Sequence, residues 1–271
     1  MRLAVRHVTR YRFDPPLTHG LQRLRLNPKE THGQHVREWR MALTGARVEA
    51  SYEDHNANHV TLVSVEPGTA ELLIACEGVV DTADRAGVLG PHTGRLPLWA
   101  FLPQTPLTKP GAKMRALAAG LGSDRGDPLG LLHALSSAVL GAVTYAIGHT
   151  DSATVAEEAL AAGMGVCQDH AHVFIGCARQ LGIPARYVSG YLMMDDRIEQ
   201  EAGHAWAEAH VEGLGWVGFD VSNGISPDAR YVRVASGRDY AEAAPVTGIS
   251  FGGAGMELSV SLAVEQQAVQ Q

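Results

Sequence analysis

Residues 163–184 read GMGVCQDHAHVFIGCARQLGIP, and this stretch decides the fold. Gly163-Met164-Gly165 breaks whatever helix precedes it, and apolar positions resume at helical spacing at Ala171, Phe174, Ile175 and Ala178, so a helix begins at Cys167. Its end is equally marked. Gly182 suits a left-handed position after the last turn, Ile183 supplies the apolar contact beyond it, and Pro184 prevents continuation.

Working outward toward the N-terminus, Asp127 is a helix cap with Pro128 at the first helical position, and Leu131, Leu132, Leu135, Val139 and Val143 recur at helical spacing. Thr154 and Glu157 form a capping-box pattern for a short helix that ends near Gly163. Toward the C-terminus the period changes to two. Residues 185–194 (ARYVSGYLMM), 204–211 (HAWAEAHV) and 216–220 (WVGFD) read as three strands, the last two joined by a glycine-bearing hairpin.

The first hundred residues read differently. Stretches 3–13, 34–43, 59–66 and 70–80 are rich in Val, Leu, Thr and aromatics and are separated by turn-forming segments, which predicts a small antiparallel β-sandwich over residues 1–100. Pro97, Pro103, Pro106 and Pro110 mark a linker into a core over 101–240. In the segment 241–271, Met256 to Val264 alternates as one more strand able to close either sheet, ahead of a tail expected to fray.

The chain has 271 residues, 45% hydrophobic and 19% charged, the balance of a folded globular protein. A net charge of -7 offers no basic field for nucleic acid. The opening MRLAVRHVTRYRF lacks the apolar run of a secretory signal, and no stretch approaches the roughly 18–20 apolar residues that span a bilayer, so a cytoplasmic location without membrane contact is expected. Three scattered cysteines, Cys76, Cys167 and Cys177, do not make a disulfide framework. A free, reactive thiol is therefore admissible. Nothing in the sequence reports an oligomeric state.

Cys167 stands where a nucleophilic cysteine belongs, because unpaired N–H groups and the positive end of the helix dipole stabilise a thiolate and offer a backbone donor to an oxyanion. Cys177, in the helix interior, reads as a small hydrophobe. His204 opens its strand with Trp206, Glu208 and His210 on its face, while Ala205, Ala207, Ala209 and Val211 form a small apolar face. Asp220 closes the next strand. A hairpin centred on Glu212 sets His204 directly opposite Asp220, Trp206 opposite Gly218 and Glu208 opposite Trp216; one centred on Leu214 separates the pair by roughly 13 Å.

The segments GVCQDHAHVFIGCARQLGIPARYVSGYL (165–192), GHAWAEAHVEGLGWVGFD (203–220) and ASGRDY (235–240) resemble the bacterial transglutaminase-like family of the papain-type cysteine peptidase and acyltransferase superfamily. His7-Val8-Thr9-Arg10-Tyr11 and Leu24-Arg25-Leu26-Asn27-Pro28 are similar to its β-rich N-terminal domain. The resemblance implies an α+β fold, a papain-like core preceded by a β domain, and a Cys167, His204, Asp220 triad acting through a thioester on amide bonds of peptides or proteins. Water resolves the thioester in a peptidase or amidase, a lysine amine in a cross-linking enzyme; the former is the expectation. The chain departs from the family's Asp-Pro-Thr-Asn at Asp220-Val221-Ser222-Asn223, and His170 replaces a common phenylalanine.

Gln168 and Tyr145 are candidate second oxyanion donors, and Trp206 is a candidate acyl-pocket wall or a hairpin-packing aromatic. No cofactor or metal is implied. Two other classes compete with this reading. Cys167, His170, His172, His204, His210 and Asp220 include familiar zinc ligands, but His172 points away from Cys167 and His170 on one helix and no His-Glu-x-x-His spacing occurs. A non-catalytic binding module with the same fold is the other alternative.

Overall fold

The computed structural model describes residues 1–122, 126–252 and 255–267. In chain order its elements are β1 (Arg2–Leu24), β2 (Gln34–Thr44), β3 (Ala46–Glu53), β4 (His59–Val65), β5 (Thr69–Thr82), β6 (Val88–Gly90), α1 (Ala112–Gly120), α2 (Pro128–Ala142), β7 (Thr144–Tyr145) and α3 (Ala156–Ala162). There follow β8 (Met164–Gly165), α4 (Cys167–Gln180), β9 (Ala185–Leu192), β10 (Glu199–Gln200), β11 (His204–Val211), β12 (Gly215–Phe219), β13 (Tyr231–Gly237), α5 (Tyr240–Ala243), β14 (Val246–Gly252) and β15 (Gly255–Gln266). The fold is α+β, with helices packed on a five-stranded antiparallel sheet and a β-rich N-terminal region.

The expected sandwich is a curled eight-stranded antiparallel sheet with β1 as its spine. Leu3 to Asp14 pair with β15, and Arg2 to Arg12 pair with β5 on the other edge. The register breaks before Leu17, at the Pro15-Pro16 pair, which supplies no N–H groups. Beyond it β1 changes partners, to β14 and β4. Alternate residues Leu3, Val5, His7, Thr9, Tyr11 and Phe13 are buried, the period of two that a strand imposes. Tyr11, Phe13, Leu17, Leu24, Val63, Leu72 and Ile74 fill the inside of the curl.

The alternating stretch Met256–Val264 lies in β15 and joins this first sheet, so the chain's end returns to its beginning. Conversely β6 leaves the first hundred residues to pair with β12. Residues 268–271 of the expected frayed tail lie outside the described residues.

The second sheet runs β13-β9-β11-β12-β6, with α4 against one face. Ala205, Ala207 and Ala209 leave room for the helix to approach, and Phe174 of α4 stacks on Phe219 at 5.0 Å between centroids. Gly176 is required on the helix's other side, where a Cβ would lie 2.3 Å from the Thr108 carbonyl oxygen. The end of α4 forms a Schellman turn: Ile183 N–H donates to Ala178 O at 3.0 Å, Gly182 N–H to Arg179 O at 3.0 Å, and Gly182 has φ 84°. Asp127 caps α2 as expected, accepting from Gly130 N–H at 2.8 Å.

Glu157 does not close a capping box with Thr154. It caps the neighbouring α1 instead, accepting from the N–H groups of Gly111, Lys113 and Met114 at 2.7 to 3.0 Å. These are orphan donors that no residue of α1's own approach satisfies. The proline-marked linker thus docks on the core through α1, an element the sequence reading does not anticipate.

The two sheets meet at β13. Gln34 brackets Arg233, donating to its carbonyl at 2.8 Å and accepting from its N–H at 2.7 Å, and Asn58 does the same for Ser236 at 2.8 Å each way. Together with the Lys29 N–H, which donates to the Arg233 carbonyl at 3.1 Å, these side-chain amides pair the open edge of β13. Leu3, Val5, Tyr191, Val232 and Val234 seal the junction. Among the described residues no helix is long and apolar enough to cross a membrane.

Candidate active site

The short parallel pair β7 and β8 sets the entrance to α4, with Tyr145 beside Gly165. Asp169, buried in the first turn of the helix, reaches back to accept from Val166 N–H at 2.8 Å and from the Thr150 hydroxyl at 2.7 Å. This half capping box fixes the turn that begins at Cys167. Gly165 leaves space for it, since a Cβ there would lie 2.7 Å from the Asp169 Cβ.

The hairpin between β11 and β12 is centred on Gly213, not on Glu212. Val211 pairs with Gly215, His210 with Trp216 and Glu208 with Gly218. Gly213 and Gly215 have φ of 83° and 82°, so the two residues able to adopt left-handed backbone at no steric cost fix the turn and with it the register. The parity is the expected one, so His204 and Asp220 still share a face, but Asp220 lies two residues short of direct opposition.

Diagonal reach closes the gap. His204 Nε2 lies 2.6 Å from Asp220 Oδ2. Asp220 has left the β12 ladder and is pinned by reciprocal backbone bonds with Ile225. Its carboxylate also accepts from Ser222 Oγ at 2.8 Å, Asn223 N–H at 3.2 Å, Asn223 Nδ2 at 2.7 Å and the Tyr231 hydroxyl at 2.7 Å. Ser222 and Asn223, which follow the departure at Val221, therefore hold the carboxylate. Tyr231, from β13, is a partner that no local pattern announces.

The electrostatics follow from these contacts. Burial alone would lower the His204 pKa, but the hydrogen bond to Asp220, the neighbouring Cys167 sulfur and the charges of both raise it to about 10. Burial would raise the pKa of Asp220, yet the bond and charge of His204, with Tyr231 and Asn223, bring it down to about 2. With Nε2 committed to Asp220, Nδ1 is the imidazole nitrogen left for Cys167. These shifts favour an ionised carboxylate and a protonated imidazole, beside a sulfur at a helix N-terminus.

Cys167, Gln168 and His204 open on a cleft of about 340 Å³, whose opposite wall comes from alternate β1 residues His7, Thr9 and Tyr11. The first sheet therefore forms part of the site. His7 is buried, with Nδ1 2.9 Å from the Tyr191 hydroxyl, and burial lowers its pKa to about 4. Formal charges in the lining are few: Arg25 contributes a cation, paired with Asp54 at 3.3 Å, and among the described residues no Asp or Glu contributes an anion.

The remaining candidates separate. Gln168 lines the cleft, but its amide donates to Ser152 O at 3.3 Å. Tyr145 stacks on His170 at 6.3 Å and lies outside the cleft lining, although burial and the charges of Cys167 and Asp220 raise its pKa. Trp206 is not a cleft wall. It is buried behind the imidazole, 6.3 Å from the His204 ring and 5.4 Å from that of Tyr231, because the face it shares with His204 packs on Val188, Leu192 and Tyr231.

Of the candidate zinc ligands, Cys167, His204 and Asp220 belong to the site just described, and the other three histidines are engaged elsewhere. His170 has both ring nitrogens 2.9 Å from backbone carbonyls, of Val166 and Val143, and His172 accepts from Tyr240 N–H at 3.1 Å. His210 packs on Trp216. Among the described residues no three His, Cys, Asp or Glu side chains converge as a metal site.

Comparison with known proteins agrees with this architecture. Residues 115–221 match the Transglutaminase-like superfamily, and residues 3–81 match the Bacterial transglutaminase-like N-terminal region. The uncharacterized protein Rv2569c of Mycobacterium tuberculosis is 30% identical over 277 residues, 92% of this chain and 88% of that one. ML0607 of Mycobacterium leprae, also uncharacterized, is 27% identical over 285 residues, 98% and 99% of the two chains. Among solved structures, a candidate cysteine protease from Cytophaga hutchinsonii shares the fold over 100% of this chain and 92% of its own, with a TM-score of 0.74 and 21% identity. With both family regions matched in order and a 30% identical relative aligned over nearly its whole length, this chain belongs to the bacterial transglutaminase-like family.

Proposed function

We propose that the protein is a thiol hydrolase acting on amide bonds of peptides or proteins, with Cys167 as nucleophile, His204 as acid and base, and Asp220 as the group that orients and stabilises the imidazolium. The observation that carries this reading is the Asp220 to His204 bond of 2.6 Å, made on Nε2, which leaves Nδ1 for the sulfur at the head of α4. The Cys167 thiolate attacks the amide carbonyl, and the protonated His204 gives its proton to the leaving amine. A thioester and a free amine result. His204, now neutral, takes a proton from water as it attacks the thioester, releasing the acid and restoring the thiolate–imidazolium pair.

Hydrolysis is preferred to lysine cross-linking because, among the described residues, no carboxylate lines the cleft to attract a lysine ammonium, and its one guanidinium, Arg25, is already paired with Asp54. Buried Cys76 and Cys177, both unpaired, suit a reducing cytoplasm. The test is mass spectrometry of products from a peptide mixture incubated with the native chain or with Cys167→Ala. Cleaved or deamidated products that require Cys167 are expected. Products dominated by amine-linked peptides would overturn the preference for water, and identical product spectra from both proteins would overturn the enzyme reading in favour of a binding module.

A further inference from the structure

A second cavity, about 930 Å³ in volume, lies apart from Cys167 and is lined by Lys29, Arg85, Arg186, Trp216 and Arg233. Its floor belongs to the face of the second sheet turned away from α4. Ala207 and Ala209 of β11 pack toward the helix, so Glu208 between them projects to the other side, where it is fully buried.

Glu208 sits directly across the ladder from Arg186. Arg186 Nε donates to its Oε2 at 2.6 Å, while Arg233 Nε and Nη2 donate to Oε1 and Oε2 at 2.8 and 3.0 Å. One carboxylate thus holds two guanidinium groups, and its oxygens are fully engaged. Lys29 adds a third cation, and among the described residues its Nζ donates to neutral acceptors, Asn56 O at 2.7 Å and Ser236 Oγ at 3.1 Å.

The acidic groups at the rim are committed elsewhere. Glu53 pairs with Arg95 at 2.7 Å, and Glu30 accepts from Val36 N–H at 2.9 Å and faces His35. Arg186 gives only Nε to protein among the described residues, and its Cζ lies 3.9 Å from the centroid of the Trp216 ring. Its two Nη groups are thereby held flat, with the geometry that recognises a planar or tetrahedral oxyanion.

We propose that this cavity is a binding site for an oxyanion, a phosphate or carboxylate group carried by a small ligand, held by Lys29, Arg186 and Arg233 above Glu208. Lys29, Arg186 and Arg233 share the carboxylate of Glu208, and the other anion that acts on Lys29, Asp54, is itself paired with Arg25, so an excess of positive charge remains that is costly without a counter-charge. Burial and the charges of Arg233 and Arg186 lower the Lys29 pKa, which is the strain that an incoming anion relieves. The site is separate from the proposed hydrolysis and stands whether or not that reading holds.

The test is isothermal titration of the full chain with sodium phosphate and with sodium acetate, against sodium chloride at matched ionic strength. Saturable binding of phosphate, of acetate or of both, beyond chloride, is expected; the anion that binds identifies the group the ligand carries. Lys29→Met and Arg186→Gln are each expected to weaken it about tenfold or more, the scale of one charge-assisted hydrogen bond. Exposed Arg85→Gln, a rim change with little bearing on folding, is expected to weaken it less. Melting temperatures establish that the variants are folded; should either floor variant fail to fold, Arg85→Gln carries the comparison. Heats no greater than those of chloride, or affinities unchanged across the folded variants, would overturn the proposal.

Discussion

Asp220 hydrogen-bonds His204 at 2.6 Å although the two are not cross-strand partners. The ladder of β11 and β12 does not place the carboxylate; the turn to Ile225 and the donors Ser222, Asn223 and Tyr231 do. Orientation of the imidazole is therefore a property of a five-donor cage around one buried oxygen pair. This makes the pair rigid and also makes it sensitive to residues outside the hairpin.

Asp220→Asn keeps the shape of that cage but replaces a charge that stabilises the imidazolium with a neutral amide. The expected loss in kcat/KM is about 10³-fold or more, against a smaller loss, about tenfold, for Tyr231→Phe, which removes one donor and leaves the carboxylate. Steady-state kinetics on a cleaved peptide measure both. Equal losses in the two variants would mean that Tyr231 does more than hold Asp220.

Much of this site is legible from local sequence. The helix that starts at Cys167 and ends at Gly182 is written in glycine, apolar spacing and proline, and β11 is written in its alternation of small apolar and large polar residues. The hairpin register is not, because centres at Glu212, Gly213 and Leu214 keep His204 and Asp220 on one face, and periodicity cannot choose among them. Left-handed backbone at Gly213 and Gly215 makes the choice. Partners from distant segments leave no local trace: Tyr231 on Asp220, Glu157 on α1, and His7 across the cleft are brought together only by tertiary packing. Trp206 shows the converse limit, since its face was readable but not whether that face bordered solvent or a core.

Gly165→Ala tests how tightly the head of α4 is built. The added Cβ would meet Asp169 at 2.7 Å and push its carboxylate off the Val166 N–H. A loss of about 1–3 kcal/mol is expected from overpacking and the weakened cap. Displacing Cys167 by even a fraction of its reach to His204 should also slow acylation, by up to about 10²-fold. Urea denaturation and kinetics on the same preparation separate the two effects. An Ala variant with unchanged stability would show that the turn relaxes freely.

The three thiols should differ sharply toward iodoacetamide at pH 7. Cys76 and Cys177 are 1% and 0% exposed, and burial raises both thiols to about 12. Cys167 lines the cleft beside His204 and should be the residue labelled in the native protein. Peptide mapping after brief labelling reads this directly, and His204→Ala should slow the reaction by removing the cation paired with the thiolate. Labelling of Cys177 at a comparable rate would contradict the packing of α4.

The Asp220–His204 pair should also shape stability against pH, from both sides. Asp220 has its pKa lowered from 3.8 to about 2, so its contribution is complete above the unfolded value and is lost as pH falls through about 2. His204 has its pKa raised from 6.5 to about 10, so its contribution is complete below the unfolded value and is lost as pH rises through about 10. The stability difference between the native chain and Asp220→Asn should therefore be greatest between about pH 4 and 6.5 and shrink in both directions, its acid arm amounting to about 2 kcal/mol. Chemical denaturation from pH 2 to 10 measures the difference. Because the Asp220–His204 bond contributes to both arms, His204→Gln should remove the alkaline arm and weaken the acid one; an acid arm that survives intact would assign the depressed carboxylate to Tyr231, Ser222 and Asn223 alone.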